Sequence, residues 1–176
     1  STQTINGLFG ARFIIPGTGI VPNNYMALID PHPGHALSIA PGKRVTTSMA
    51  PTIVFRDGQP AFALGLPGGL RIFGSVMQAL VNLIDHGMSL QEAVEAPRLW
   101  TQGEALEVEE AVPAAQRDGL AARGWNVLPV AHVGGGMTAI AFGPGGATTG
   151  AACWRADGLA MGLGGGLARA GTRFWP

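Results

Sequence analysis

A chain of 176 residues is long enough for one domain with a substantial core and short for two. Eleven Lys and Arg residues balance eleven Asp and Glu residues with no basic block, which excludes an electrostatic footprint for nucleic acid or anionic lipid. Charged residues make up 12% of the chain against 47% hydrophobic, so a large uncharged face calls for cover by a permanently associated partner.

No run of eighteen apolar residues occurs, so a membrane span is excluded on length and a soluble protein is expected. The single Cys153 rules out an intramolecular disulfide and leaves the compartment open, with cytoplasm expected ahead of periplasm. The chain opens Ser1-Thr2-Gln3-Thr4-Ile5-Asn6, already alternating and without an initiator Met, and reads as cut from something longer.

In chain order, residues 1–15 read as strand with a Gly-containing turn, closed by Pro16-Gly17-Thr18-Gly19, and Pro31 to Gly42 reads as loop. Thr52 to Phe55 and Ala61 to Leu64 form a hairpin pattern around Asp57-Gly58. Gly74 to His86 is a helix with Val76, Leu80, Val81 and Ile84 on one face and Gly87 at its C-terminal cap. Ser89-Leu90-Gln91-Glu92 has capping-box spacing for a second helix that Pro97 limits to about two turns. Leu106 to Glu109 alternates as an exposed strand, Pro113 to Arg123 is a short helix before Gly124, and Trp125 to Val130 returns to strand. Met137 to Phe142, Thr148 to Trp154 and Leu159 to Leu163 complete the strand candidates. Strands, then helices, then strands give an α+β fold rather than an alternating parallel one.

Several constellations invite chemistry. Asp30, His32 and His35 contain metal-ligand types, but the intervening prolines prevent a helix that would place both imidazoles on one face, so no metal is expected. His86 suits a helix C-terminus and His132 a loop. Gly134-Gly135-Gly136 and Gly164-Gly165-Gly166 lack the Lys-Ser/Thr or spaced fingerprint of nucleotide sites and read as tight turns. Cys153 reads as a buried structural thiol. Ser1 could serve as an N-terminal nucleophile, yet it leads straight into an alternating segment and reads as the edge of a trimmed chain.

The hydroxyls of Thr47 and Ser48 can donate to a carboxylate, and Gly68-Gly69 can offer backbone N–H groups to an oxyanion. The same residues also suit a turn before a strand and a loop after it. Four motifs then stand in register: Thr2-Gln3-Thr4-Ile5-Asn6 with Phe9-Gly10; Gly19-Ile20 with Asn23-Asn24-Tyr25-Met26; Gly42-Lys43-Arg44 with Ser48-Met49-Ala50-Pro51-Thr52; and Pro67-Gly68-Gly69-Leu70-Arg71. Together they resemble the small subunit of the γ-glutamyltranspeptidase family.

The resemblance implies an N-terminal-nucleophile hydrolase, an αββα sandwich made by autocatalytic cleavage of a precursor into large and small subunits that stay together. Residues 1–176 would be the small-subunit portion of one such domain, completed by the large subunit and an N-terminal strand that carries the nucleophilic Thr. Thr4 would be the second threonine, hydrogen-bonded to the nucleophile, Asn6 and Asn24 substrate-side amides, Thr47 and Ser48 the carboxylate-binding pair, and Gly68 and Gly69 the oxyanion hole. No cofactor is implied.

The departures bear on substrate. Where transpeptidases place polar or acidic residues around the α-amino group, this chain has Tyr25 and Ala27-Leu28. An ammonium held against Tyr25 and Leu28 without a carboxylate would bear an uncompensated desolvation cost. A small acid amide without an α-amine is expected, most like the substrate of oxamate amidohydrolases, with glutaryl-type cephalosporin acylases second. A γ-glutamyltransferase with an altered amine site and an inactive scaffold homologue are the alternatives.

Overall fold

The computed structural model describes residues 2–162, so the expectations on Ser1, on Leu163 and on glycines 164–166 lie outside the described residues. The chain divides into two compact units, Ser1–Ser48 and Met49–Pro176.

In the first unit the strand expected over residues 1–15 does not form. Left-handed backbone at Asn6, Phe9, Gly10 and Arg12 breaks extension every few residues. Loop-to-loop hydrogen bonds hold the segment instead: Asn24 N donates to Ile5 O at 3.2 Å, Ala11 N to Pro22 O at 2.8 Å and Ile15 N to Ile20 O at 2.9 Å. A 3₁₀ turn spans Tyr25–Leu28. Only Gly10 and Ser38 are buried among the described residues of this unit, while Leu8, Phe9, Phe13 and Ile14 stand exposed. An alternating sequence without an apolar core to face cannot settle into a sheet.

The second unit is built on a four-stranded antiparallel sheet in the order β1-β2-β6-β7, from Thr52–Arg56, Gln59–Gly65, Thr138–Phe142 and Thr148–Ala152. The β1–β2 hairpin turns at Asp57 and Gly58, both with positive φ, as a two-residue turn matched to strand twist requires. Helices α1 (Arg71–Ile84) and α2 (Leu90–Glu95) pack on the sheet, and Leu64, Ile72, Val76, Ala79, Leu83, Val94, Met137 and Ala139 share the core. Ser89 caps α2 with the full reciprocal box to Glu92.

A second sheet joins β3 (Leu99–Thr101), β4 (Leu106–Glu109) and β5 (Val127–Val130). β3 is antiparallel to β4, and β5 runs parallel to it after crossing over through α3 (Ala114–Ala122). The α+β order therefore includes one parallel pair.

Four expectations are corrected in this unit. α1 begins at Arg71 rather than Gly74, because Gly74 is an interior position where a Cβ would lie 2.9 Å from the Trp100 ring. Its buried face is Ile72, Ser75, Val76, Ala79 and Leu83; Val81 and Ile84 instead join Phe73 and Met77 in an outer apolar stripe. β4 is the buried centre of its sheet, with Glu109 only 1% exposed. Residues 159–162 form no strand.

The N-terminus of α1 is tied to β4 by Arg71, whose guanidinium grips the Glu107 carboxylate with both Nε (2.7 Å) and Nη2. That hydrogen bond holds Glu107 below the ordinary carboxylate value of 4.5, against an opposing effect of burial. A depressed carboxylate stabilises the fold above its unfolded value and loses that contribution as pH falls through the folded one. Glu107→Gln should lower the melting temperature at pH 7 and flatten its decline between about pH 5 and 3, read by thermal unfolding across that range.

Candidate active site

Pro67-Gly68-Gly69 links the end of β2 to the start of α1. Gly68 and Gly69 have φ of 150° and 59°, values that side-chain-bearing residues rarely adopt. A Cβ on Gly68 would lie 2.9 Å from Gly134 Cα, so glycine is also required there by close approach. The Gly68 and Gly69 carbonyls accept from Arg71 N and Ile72 N, each at 3.2 Å, and so join the first turn of the helix. Among the described residues, the N–H groups of Gly68 and Gly69 donate to no acceptor. Two uncommitted amides at the positive end of a 14-residue helix favour a developing negative charge.

The first unit gathers the polar residues expected at a site. Asn24 Oδ1 accepts from Asn6 Nδ2 at 3.0 Å and from Gly7 N at 2.8 Å, while Thr4 Oγ1 accepts from Asn6 N at 2.9 Å. Thr4, Asn6 and Asn24 thus form one network, with Asn6 in the left-handed conformation that Asn tolerates. Tyr25 and Leu28 are three residues apart in a 3₁₀ turn, where side chains at that spacing eclipse. The Tyr25 hydroxyl lies 2.8 Å from Thr47 Oγ1, so Tyr25 hydrogen-bonds to one of the two hydroxyl residues expected to bind a carboxylate. Ser48 follows, half-buried. The hydroxyl and amide residues belong to the first unit and the glycine pair to the second.

Other candidates resolve simply. Asp30 accepts from His32 N and lies 2.9 Å from His32 Nδ1, with His35 Nδ1 at 4.0 Å, in an exposed loop. His86 and His132 are exposed, and Cys153 is buried with its Sγ accepting from Met137 N at 3.1 Å.

The family model described as gamma-glutamyltranspeptidase matches residues 1–163. The chain belongs to the γ-glutamyltranspeptidase family. A γ-glutamyltranspeptidase of Pseudomonas nitroreducens, solved with L-DON, superposes with a TM-score of 0.80 at 32% identity, covering 93% of this chain and 92% of that one. A cephalosporin acylase of Bacillus halodurans gives 0.83 at 30% identity over 93% of this chain and 31% of that one. In sequence, the chain is 67% identical to the acylase ACY 1 proenzyme of Pseudomonas sp. strain SE83 over 174 residues, 99% of this chain. It spans about a third, 31%, of that proenzyme's length. The mixed helix and sheet architecture is that of the small subunit of this family, in agreement with the α+β expectation.

The sequence suggests only a tight turn at Gly134-Gly135-Gly136. In this family member the segment lies along Pro67-Gly68, where Gly135 N donates to Pro67 O at 2.9 Å and a Cβ on Gly135 would come within 2.7 Å of the same oxygen. Behind it lies a buried ionic cluster of Arg98, Glu109 and Arg155 that the sequence did not single out. Two glycine clusters 66 residues apart were the available signal, since paired glycines permit close backbone approach. Gly135→Ala should destabilise the fold by about 1–3 kcal/mol through overpacking against Pro67, measured by denaturant unfolding.

Proposed function

We propose that this chain is the small subunit of an acylase-type amidohydrolase, which cleaves the amide of an acyl group bearing a distal carboxylate and no α-ammonium. The uncommitted Gly68 and Gly69 N–H pair at the start of α1 carries the hydrolase reading, since it suits the oxyanion of amide cleavage. The Tyr25–Thr47 contact supports the substrate class, because hydroxyls suit a carboxylate, and Ala27-Leu28 offers no carboxylate to an ammonium at the positions where transpeptidases carry an acidic pair. The identity to an acylase proenzyme supports an acylase-type reading over oxamate hydrolysis, and within that reading glutaryl-type acyl groups are the substrate proposed here.

In this mechanism an N-terminal Thr preceding residue 1 in the mature subunit attacks the amide carbon, with its own α-amine accepting the hydroxyl proton. Gly68 and Gly69 hold the oxyanion, the amine leaves with that proton, and water hydrolyses the resulting ester to release the acid and restore the Thr. Thr4, with its oxygen already accepting from Asn6 N, keeps its hydroxyl proton to orient the nucleophile. Asn6 and Asn24 line the substrate side. Thr47, Ser48 and the Tyr25 hydroxyl bind the carboxylate, and Leu28 bounds the pocket.

The partner in this proposal is a large subunit cut from the same precursor. Support comes from the third of the proenzyme's length that this chain spans, from a first unit without an apolar core, and from the exposed Phe73, Met77, Val81 and Ile84 on α1.

The test is a substrate panel on the assembled enzyme: a glutaryl amide, a γ-glutamyl anilide and oxamate. The glutaryl amide should have the highest kcat/KM. Preference for the γ-glutamyl compound would overturn the argument from Tyr25 and Leu28, and preference for oxamate would overturn the glutaryl assignment. Thr47→Val with Ser48→Ala should raise KM for the glutaryl amide by about tenfold or more, since hydrogen bonds to a charged group are lost. Gly69→Val, which places a β-branched residue at left-handed φ, should lower kcat by about 10²–10³-fold with a smaller change in KM.

A further inference from the structure

The segment that packs against the glycine pair is itself bonded to a buried ionic cluster. Glu109, on β4, accepts from Val133 N at 2.7 Å and Arg155 Nε at 2.7 Å through one oxygen, and from Arg98 N at 3.0 Å and Arg155 Nη2 through the other. Arg98 sends Nη1 to Val133 O at 3.3 Å and Gly135 O at 3.0 Å, and Nη2 to Val94 O at 3.0 Å. Gly135 N in turn donates to Pro67 O, and Gly134 lies against Gly68. An unbroken chain of contacts therefore runs from two buried charges to the loop whose amides face the oxyanion.

Building on the oxyanion role proposed for Gly68 and Gly69, we propose that Glu109 and Arg98 are positioning residues, which fix the 133–136 segment and thereby the direction of the Gly68 and Gly69 N–H groups. The two divide the task. Glu109 fixes the start of the segment through the Val133 amide, and Arg98 ties the Val133 and Gly135 carbonyls, through Nη1, to the Val94 carbonyl of α2, through Nη2. A structural ion pair would need only Arg155, which already saturates Glu109 from one side and is fully buried with it. Arg98 adds a second cation beside Arg155, and burial, followed by that neighbour's charge, pulls its guanidinium down to about 10. Retaining a cation at that cost fits a task that carbonyl acceptors at Val133 and Gly135 define.

The test compares Glu109→Gln, Arg98→Lys and Gly69→Val in the assembled, processed enzyme on the glutaryl amide, with Leu83→Ala as a core variant far along α1 that lowers the melting temperature without touching the segment. Glu109→Gln should lower kcat by about ten- to a hundredfold with KM changed by less than about threefold, because misplacement of a stabilising group by an ångström acts on the transition state. Arg98→Lys, which keeps the charge but has one nitrogen in place of the two that join the segment to α2, should lose kcat in the same sense; it carries the test if Glu109→Gln does not assemble. Leu83→Ala should keep kcat despite its lower melting temperature. Equal kcat losses in Leu83→Ala and the two charge variants, or losses confined to KM, would overturn the positioning role. A normal kcat in Gly69→Val would overturn the oxyanion reading beneath it, whereas a low kcat there with normal kcat in Arg98→Lys and Glu109→Gln would overturn the positioning role alone.

Discussion

One buried carboxylate organises the larger unit. Glu109 sits in the middle strand of the three-stranded sheet, 1% exposed, and is bonded by the backbone of residues 98 and 133 and the guanidinium of Arg155. An ionised carboxylate away from water is tolerable only with nearly every lone pair engaged, and Glu109 meets that condition with four donors. Removing it would take from the buried Arg155 guanidinium the carboxylate with which it is paired. Arg155 extends the cluster to the end of α2 through Val94, Glu95 and Ala96 carbonyls, so one ion pair joins helix, sheet and glycine segment.

The consequence for chemistry lies in which glycines can vary. Gly68 is constrained by the Gly134 and Gly135 backbone, and Gly135 by the carbonyl and ring of Pro67, so the two glycine segments pack closely along each other. Gly69 has open space where a Cβ would lie and is constrained only by its left-handed φ. The loop is tightly packed at Gly68 and open at the Gly69 Cβ position, which suits the oxyanion role proposed for it. The first unit differs in kind: its polar residues are organised by local hydrogen bonds at Thr4, Asn6 and Asn24, while its large apolar side chains remain uncovered.

What the sequence disclosed follows the range of the interactions. The capping box at Ser89 and Glu92, the Asp57-Gly58 hairpin and the helix before Gly124 were legible because each is set within a few residues. The four motifs carrying Thr4, Asn24, Ser48 and Gly68 were legible as a pattern, and the fold they implied agrees with the solved relatives. The start of α1 was misplaced because Gly74 resembles a boundary until Trp100, far along the chain, is seen to occupy its Cβ position. Glu109 was taken for an exposed residue because its partners are 11, 24 and 46 positions away. Alternation in residues 1–15 promised a strand, but alternation specifies a face and not the core to cover it. The Tyr25 hydroxyl was read only as bulk because Thr47 lies 22 residues on.

The proposed chemistry rests on the Gly68 and Gly69 amides receiving the oxyanion. A crystal structure of the assembled enzyme trapped as its acyl-enzyme on a glutaryl substrate tests it directly. The acyl carbonyl oxygen should lie about 3 Å from both N–H groups, with the loop in its present conformation. A carbonyl oxygen directed elsewhere, with these two amides solvated, would contradict it.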